Sequence, residues 1–277
     1  MELKITVVTE NSVNKKDLMA EHGLSLLVET PGFSLLFDTG QGYTIESNVR
    51  TLQIDLTQID AIALSHNHFD HTGGLKKALV LSGPKPVYGH PGIFDEKFYQ
   101  DKEGELHPNG IPFRQRELEA LGAEFHLETK PSHLSSNIIL AGQIPRVTDF
   151  EEVNPHFVVK RAGGYPIDPL PDDQALFIKT SKGIVVIVGC SHSGLINILR
   201  YAKQVTGVED IYAVVGGTHL VEATEERLSQ TIEALKEMKV EKLAVSHCTG
   251  FHAQMKLKEA FGDDFVLNNV GHCMKIE

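Results

Sequence analysis

The 277-residue sequence contains no tryptophan, only 7% aromatic residues and three cysteines. Cys190, Cys248 and Cys273 are odd in number and far apart, which fits a reducing compartment better than a disulfide framework, so a cytoplasmic location is expected. No apolar run approaches the roughly 20 residues that cross a bilayer. The start of the chain, Met1 to Val8, alternates like an amphipathic strand and lacks the apolar stretch and cleavage site of a signal peptide. Basic residues are also short: 26 Lys and Arg face 37 Asp and Glu, a net charge of −11. Phosphate backbones select basic surfaces, so no nucleic-acid partner and no membrane partner is expected. Strong internal repeats and low-complexity tracts are missing as well. What remains is a chain with 41% hydrophobic residues, enough for one large α/β domain or one domain with an insertion, whose expected partner is a small molecule. The sequence leaves the oligomeric state open.

Against this background the run Ser65-His66-Asn67-His68-Phe69-Asp70-His71-Thr72-Gly73-Gly74 stands out. Three imidazoles and a carboxylate fall within six positions, straight after the apolar segment Ile59–Leu64. Imidazole nitrogen and carboxylate oxygen are the donors that borderline divalent ions favour, and a tight turn after a strand can aim several of them at one point. In extended chain His66 and His68 project to one side; Asp70 and His71, past the turn, can reach a second ion. Two metal ions are therefore expected, zinc first, with Mn2+ or Fe2+ compatible with the same donors.

Strand-like runs at 3–8, 24–29 and 33–37 suggest a meander ending at Asp38. A helix start at 74–79 and a buried strand at 86–90 follow. From about 93 to 171 the density of Pro, Gly and charge rises, which predicts an insertion or lid subdomain with a helix near 114–121 and strands near 125–128 and 137–141. Residues 1–92 and 172–277 are then the core. Its second half reads as a hairpin, 175–179 with 183–188, followed by alternating helices and strands, among them an amphipathic helix over 225–238.

His66-x-His68-x-Asp70-His71, preceded by Asp38 in Leu-Leu-Phe-Asp-Thr-Gly, resembles the signature of the metallo-β-lactamase superfamily. Glu21-His22-Gly23-Leu24-Ser25 and Gly189-Cys190-Ser191-His192-Ser193-Gly194 are similar to one branch of it, which includes the archaeal 7,8-dihydropterin-6-methyl-4-(β-D-ribofuranosyl)aminobenzene 5′-phosphate synthase and bacterial relatives. The resemblance covers essentially the whole chain and implies a four-layer αββα metallo-β-lactamase sandwich with a small α+β insertion. It implies that His247, ending the strand Leu243–Ser246, completes the second ion. Gly189-Cys190 falls where many relatives carry Gly-Asp; a thiolate there could still bind zinc, and a small buried core residue is the other reading. Where relatives offer a histidine ahead of the hairpin, this chain has Pro171-Asp172-Asp173-Gln174. His192 is the preferred replacement, with Asp172 or Asp173 as ligand or orienting group the second choice. His219 could point at substrate, support a ligand or be structural, and the resemblance puts His22 on a loop over the site. Arg146 and Arg161 are candidates for gripping an anion.

These residues point first to a metal-dependent hydrolase that uses activated water, ligated and oriented by Asp70, on a small anionic, phosphorylated substrate. The resemblance implies a second reading, a transferase joining a pterin methyl diphosphate to a ribofuranosylaminobenzene phosphate, with the metals holding the departing diphosphate. A third is a non-catalytic metal or redox sensor built on Cys190 and Cys248.

Overall fold

The computed structural model describes residues 2–277. In chain order its first strands are β1 (Leu3–Thr9), β2 (Ser25–Thr30), β3 (Phe33–Phe37), β4 (Ala61–Ala63) and β5 (Lys85–Gly89). β6 (Lys97–Gln100), β7 (Leu106–Pro108), β8 (Ala123–Leu127), β9 (Ser132–His133), β10 (Ile138–Leu140) and β11 (Phe157–Val159) follow. The last are β12 (Ala175–Thr180), β13 (Gly183–Val188), β14 (Ile211–Gly217), β15 (Lys242–Ser246) and β16 (Cys273–Ile276). The helices are α1 (Ile45–Thr51), α2 (Phe69–Thr72), α3 (Leu75–Ser82), α4 (Gln115–Glu119), α5 (Leu195–Thr206), α6 (Glu225–Glu237) and α7 (Phe251–Phe261).

Two large sheets pack face to face, ordered β16-β1-β2-β3-β4-β5-β8 and β15-β14-β13-β12-β10-β9. The layering follows from side-chain alternation along each strand. In β13, Val185 and Ile187 point into the core between the sheets, while Ile184, Val186 and Val188 point outward under α5, α6 and α7. In β3, Leu35 and Phe37 point inward, whereas Leu36 points outward under α1 and α3. An all-apolar run such as Gly183–Val188 is what a strand covered on both faces requires. Each fully buried Leu, Ile or Val side chain adds about 1.5–3 kcal/mol relative to exposure. The result is a helix–sheet–sheet–helix sandwich, the metallo-β-lactamase fold.

The segment 93–171 does not form one separate unit. Only β6, β7 and β11 make their own small sheet, ordered β11-β6-β7. β8 edges the first large sheet by pairing parallel to β5, and β10 joins the second by pairing antiparallel to β12. The expected helix, α4, is short and buries Leu118 against the outer face of the first sheet. β9 and β10 are two and three residues long, too short for their alternation to announce membership of a large sheet.

β3, β4, β5 and β8 run parallel, as do β13, β14 and β15. The ends of β1, β3, β4, β13, β14 and β15 gather at one edge of the sandwich, and each is followed by polar residues: Glu10-Asn11, Asp38, Ser65-His66, Cys190, His219 and His247. Carboxyl ends of parallel strands are where open α/β sheets place their sites.

Candidate metal centre

At that edge the two sheets come close. A Cβ on Gly189 would lie 2.1 Å from Ser65 Oγ and 3.2 Å from Asp38 Oδ2, and one on Gly217 would lie 2.7 Å from Cys248 Sγ. Glycine is needed at both positions for the approach. Asp38, Ser191, His219 and His247 all hold left-handed backbone, with φ between 48° and 62°. Strained turns of this kind concentrate at functional sites.

Two groups of donors form there. In the first, one ligand atom each of His66, His68 and His192 lie within 4.8 Å of one another. All three residues are buried, and the Nε2 of each lacks a hydrogen-bond partner. Burial, reinforced by neighbouring histidines and for His66 and His68 by Lys97, pushes their pKa values well below 6.5, so the rings are neutral. In the second group, ligand atoms of Asp70, His71, Cys190 and His247 also lie within 4.8 Å of one another. His71 Nε2 stands 3.1 Å from Cys190 Sγ, 3.2 Å from His247 Nε2 and 3.6 Å from Asp70 Oδ2. Asp70 Oδ2 is also 3.2 Å from His247 Nε2 and 3.3 Å from His22 Nε2.

The electrostatics of the second group differ. Burial would raise the Asp70 carboxyl, but His71, His22 and His247 outweigh it and hold it well below 3.8, so it is ionised. Burial lowers His71, yet Asp70 and Asp38 together lift it to about 9. Burial, with Cys248 beside it, keeps the Cys190 thiol well above 9.0.

A buried aspartate orients both groups. Asp38 accepts the Ser65 N–H (2.7 Å) and the Ser65 hydroxyl (2.6 Å), and it meets His71 Nδ1 at 2.7 Å. With its proton given to Asp38, the Ser65 hydroxyl accepts from His66 Nδ1 at 2.8 Å. Both imidazoles therefore carry their proton on Nδ1 when neutral and turn a free Nε2 inward, the arrangement a metal-ligating histidine needs. His247 is set the same way: Asn11 Oδ1 meets its Nδ1 at 2.8 Å, and Glu10 accepts its backbone N–H at 2.7 Å. Three convergent, buried, unpartnered Nε2 atoms have no other ready use in the protein, and the donor set fits zinc-like ions.

The remaining expected residues fall around these groups. His22 lies on a loop at the mouth with 58% of its side chain exposed. His219 packs beside His192, with ring centroids 4.3 Å apart. Asp173 is in neither group; its Oδ2 accepts the Ser193 N–H at 2.8 Å and so shapes the turn that carries His192. Burial lifts Asp173 to about 6. Arg146 Nη2 donates to the His192 carbonyl at 2.6 Å and to the Pro169 carbonyl at 3.1 Å, so its charge bears on the backbone of that turn. Arg161 pairs with Asp95 away from the centre. Asp172 accepts the Asn67 N–H and is bridged to Asp168 by the buried Lys97 of β6, which fastens the small sheet to the histidine loop.

Sequence reasoning missed Phe157, Asn11, Glu10 and Ser65. Phe157 of β11 roofs the first group, its ring centroid 4.8 Å from His68 and 5.1 Å from His192. No local signal marks it, because its role exists only once the small sheet folds over the histidines. Asn11 and Glu10 follow directly on β1, so the strand-end argument that picks out His192 and His247 would have found them. Above the donors lies a cavity of about 590 Å³ walled by Phe69, Phe157 and Phe251 with the amides of Asn11, Asn109 and Gln254.

The profile of the metallo-beta-lactamase superfamily matches residues 19–247. A 7,8-dihydropterin-6-methyl-4-(beta-D-ribofuranosyl)-aminobenzene-5'-phosphate synthase of Methanocaldococcus jannaschii is 35% identical over 265 residues, covering 92% of this chain and 90% of that protein. An uncharacterized protein of the same archaeon is 32% identical over 276 residues, 98% of this chain and 100% of that one. A solved structure described as a metal-dependent hydrolase of the beta-lactamase superfamily superposes with a TM-score of 0.84 at 29% identity, covering 99% of each chain.

Proposed function

The chain belongs to the metallo-β-lactamase superfamily, and from that premise we propose that it is a metal-dependent hydrolase acting on a small phosphorylated substrate at a centre of two divalent ions. His66, His68 and His192 would hold one ion, and Asp70, His71, Cys190 and His247 the other, with zinc the ion best suited to mixed nitrogen, oxygen and sulfur donors. When bound, such ions acidify water and polarise the phosphoryl or carbonyl oxygen under attack. The observation that carries the reading is the convergence of three unpartnered, buried imidazole nitrogens beneath an open cavity, with the ionised Asp70 beside them.

The chain's own residues supply the rest. Asp70 lines the cavity, where its ionised carboxylate can orient a water molecule by accepting a hydrogen bond from it. His22, in contact with Asp70 and largely exposed, offers a path to solvent for the proton that such a water gives up. Phe157 and Phe69 keep other water off the histidines. Among the described residues no Lys or Arg lines this cavity, so the charge of an anionic substrate is met by the metal centre. Phe251, 80% exposed at the rim, and the amides of Asn11, Asn109 and Gln254 suit a planar, hydrogen-bonding body.

A second reading is group transfer with diphosphate as the departing group. It draws on the 35% identity to the archaeal synthase and on an aromatic-walled cavity in which water need not react. One experiment separates the two. The metal-loaded protein is incubated in 18O-labelled water with phosphomonoester, phosphodiester and diphosphate esters, and the products are read by mass spectrometry. Hydrolysis puts solvent oxygen into a product and is lost in Asp70→Asn. Turnover only with an added aromatic amine acceptor, without label, would replace hydrolase by transferase, and no turnover of either kind would contradict both.

A further inference from the structure

His219 belongs to neither of the two ligand groups. It follows β14 and the Gly216-Gly217 pair, holds left-handed backbone at φ 48°, and has both ring nitrogens shut off from solvent without a hydrogen bond. A buried imidazole satisfied at neither nitrogen, on strained backbone, is unfavourable twice over unless a ligand meets it. Its place is fixed from behind, because its backbone N–H donates to Cys248 Sγ at 3.2 Å and that thiol donates to the Cys190 carbonyl at 3.6 Å. On the other side, one ligand atom each of His219, His192 and Cys190 lie within 4.8 Å of one another.

We propose that Cys190, His192 and His219 form a further ion position at the mouth of the centre, one that takes thiophilic ions such as Cd2+, Cu+ or Zn2+ in preference to a hard ion such as Mn2+. The inference rests on the metal-centre reading above and deepens it. One sulfur and two imidazole nitrogens make a softer donor set than His66, His68 and His192, which offer nitrogen alone, and it lacks the carboxylate of the second group. The position borrows His192 from the first group and Cys190 from the second, so its occupation competes with both. As the ion–sulfur bond forms, the Cys190 thiol proton passes to solvent; both imidazoles bind through a nitrogen lone pair, and nothing is oxidised or reduced. His219 thus gives the centre a way to select its metal.

The test uses the whole chain, Cd2+ as probe and Mn2+ as the hard-ion control. Cadmium–thiolate charge transfer absorbs in the ultraviolet, where a chain without tryptophan leaves a low background. His219→Asn is the informative variant because asparagine tolerates left-handed backbone, and His219→Gly repeats the test with the strain removed. We expect wild type to show the charge-transfer band and to bind Cd2+ at least about tenfold more tightly than either variant, with Mn2+ affinity changed less than about twofold. Cys190→Ser should abolish the band. An unchanged Cd2+ isotherm and band in both His219 variants would overturn the inference while leaving the metal-centre reading intact, as would Mn2+ affinity falling in step with Cd2+. A wild-type protein that binds neither ion would overturn both.

Discussion

The His66–His68–His192 group and the Asp70–His71–Cys190–His247 group share one cavity floor, yet the first leaves its inward nitrogens unpartnered and the second pairs its donors with one another. The difference is one of readiness. Each orphaned buried nitrogen of the first group costs about 1–3 kcal/mol until something binds it, so an ion arriving there relieves a penalty and displaces no proton. An ion entering the second group must break existing contacts and displace two protons, the one that Asp70 and Asp38 hold on His71 and the one that burial keeps on the Cys190 thiol. Neighbouring donors of similar chemistry can therefore serve as a tight site and an exchangeable one, according to what each does when empty.

The comparison breaks most visibly if the first group is cut. His68→Ala should lose one ion per chain and more turnover than the roughly 10- to 100-fold that follows loss of a residue that only orients a ligand. Elemental analysis beside steady-state kinetics checks this, and Asp38→Ala, which releases both His66 and His71, should fall inside that 10- to 100-fold range.

Next in size is pH. The His71 imidazole titrates near 9 in the metal-free protein, so below that value an ion must displace one proton from it. With the Cys190 thiol giving up a proton as well, affinity of the second group should fall by roughly a hundredfold per pH unit below that value, while the first group, neutral throughout, should hold its affinity above about pH 7. Calorimetric titration in buffers of different ionisation enthalpy counts the protons released. Two sites with the same pH slope would erase the distinction.

A smaller effect concerns the turn that carries His192. The Asp173 carboxyl titrates near 3.8 when unfolded and about 6 when folded. Between those values the folded state holds the extra proton, so this group's contribution to stability is full below pH 4 and is lost as pH rises through 6. Asp173→Asn, which cannot ionise, should gain on wild type by up to about 3 kcal/mol between pH 4 and pH 7 in denaturant unfolding. The smallest change expected is that of Arg146→Lys, which keeps a charge but loses the double contact to the His192 and Pro169 carbonyls. Affinity at the first group should weaken by about tenfold or less, with the second group untouched.

How far these contrasts could be read from sequence depended on distance along the chain. His66, His68, Asp70 and His71 lie on one turn after one strand, so their type and spacing alone announce metal chemistry. His192 and His247 follow apolar strands and could be picked out one at a time, and the resemblance implies different ions for them; what the packing of the two sheets adds is which donors each of them meets. The sandwich itself was legible in the strand-like runs that became β3 and β13 and in the resemblance carried by Asp38 and the histidine run. The segment 93–171 was not, because its core strands are short and its partners lie far off in sequence: β10 pairs with β12 some forty residues on, and no local pattern encodes that pairing. Asp173 and Arg146 escaped for a related reason. Charged residues beside a metal motif suggest ligands or anion grips, whereas here both are turned to the backbone of the His192 turn.

The account stands or falls on two ions in two differently prepared sites, and anomalous X-ray scattering from crystals soaked in zinc at pH 9 and again at pH 6.5 tests this most directly. The account predicts two peaks at pH 9, one among the Nε2 atoms of His66, His68 and His192 and one among Asp70, His71, Cys190 and His247, with only the second losing occupancy at pH 6.5. No peak at either place, or a single peak indifferent to pH and shared by both groups, would contradict it.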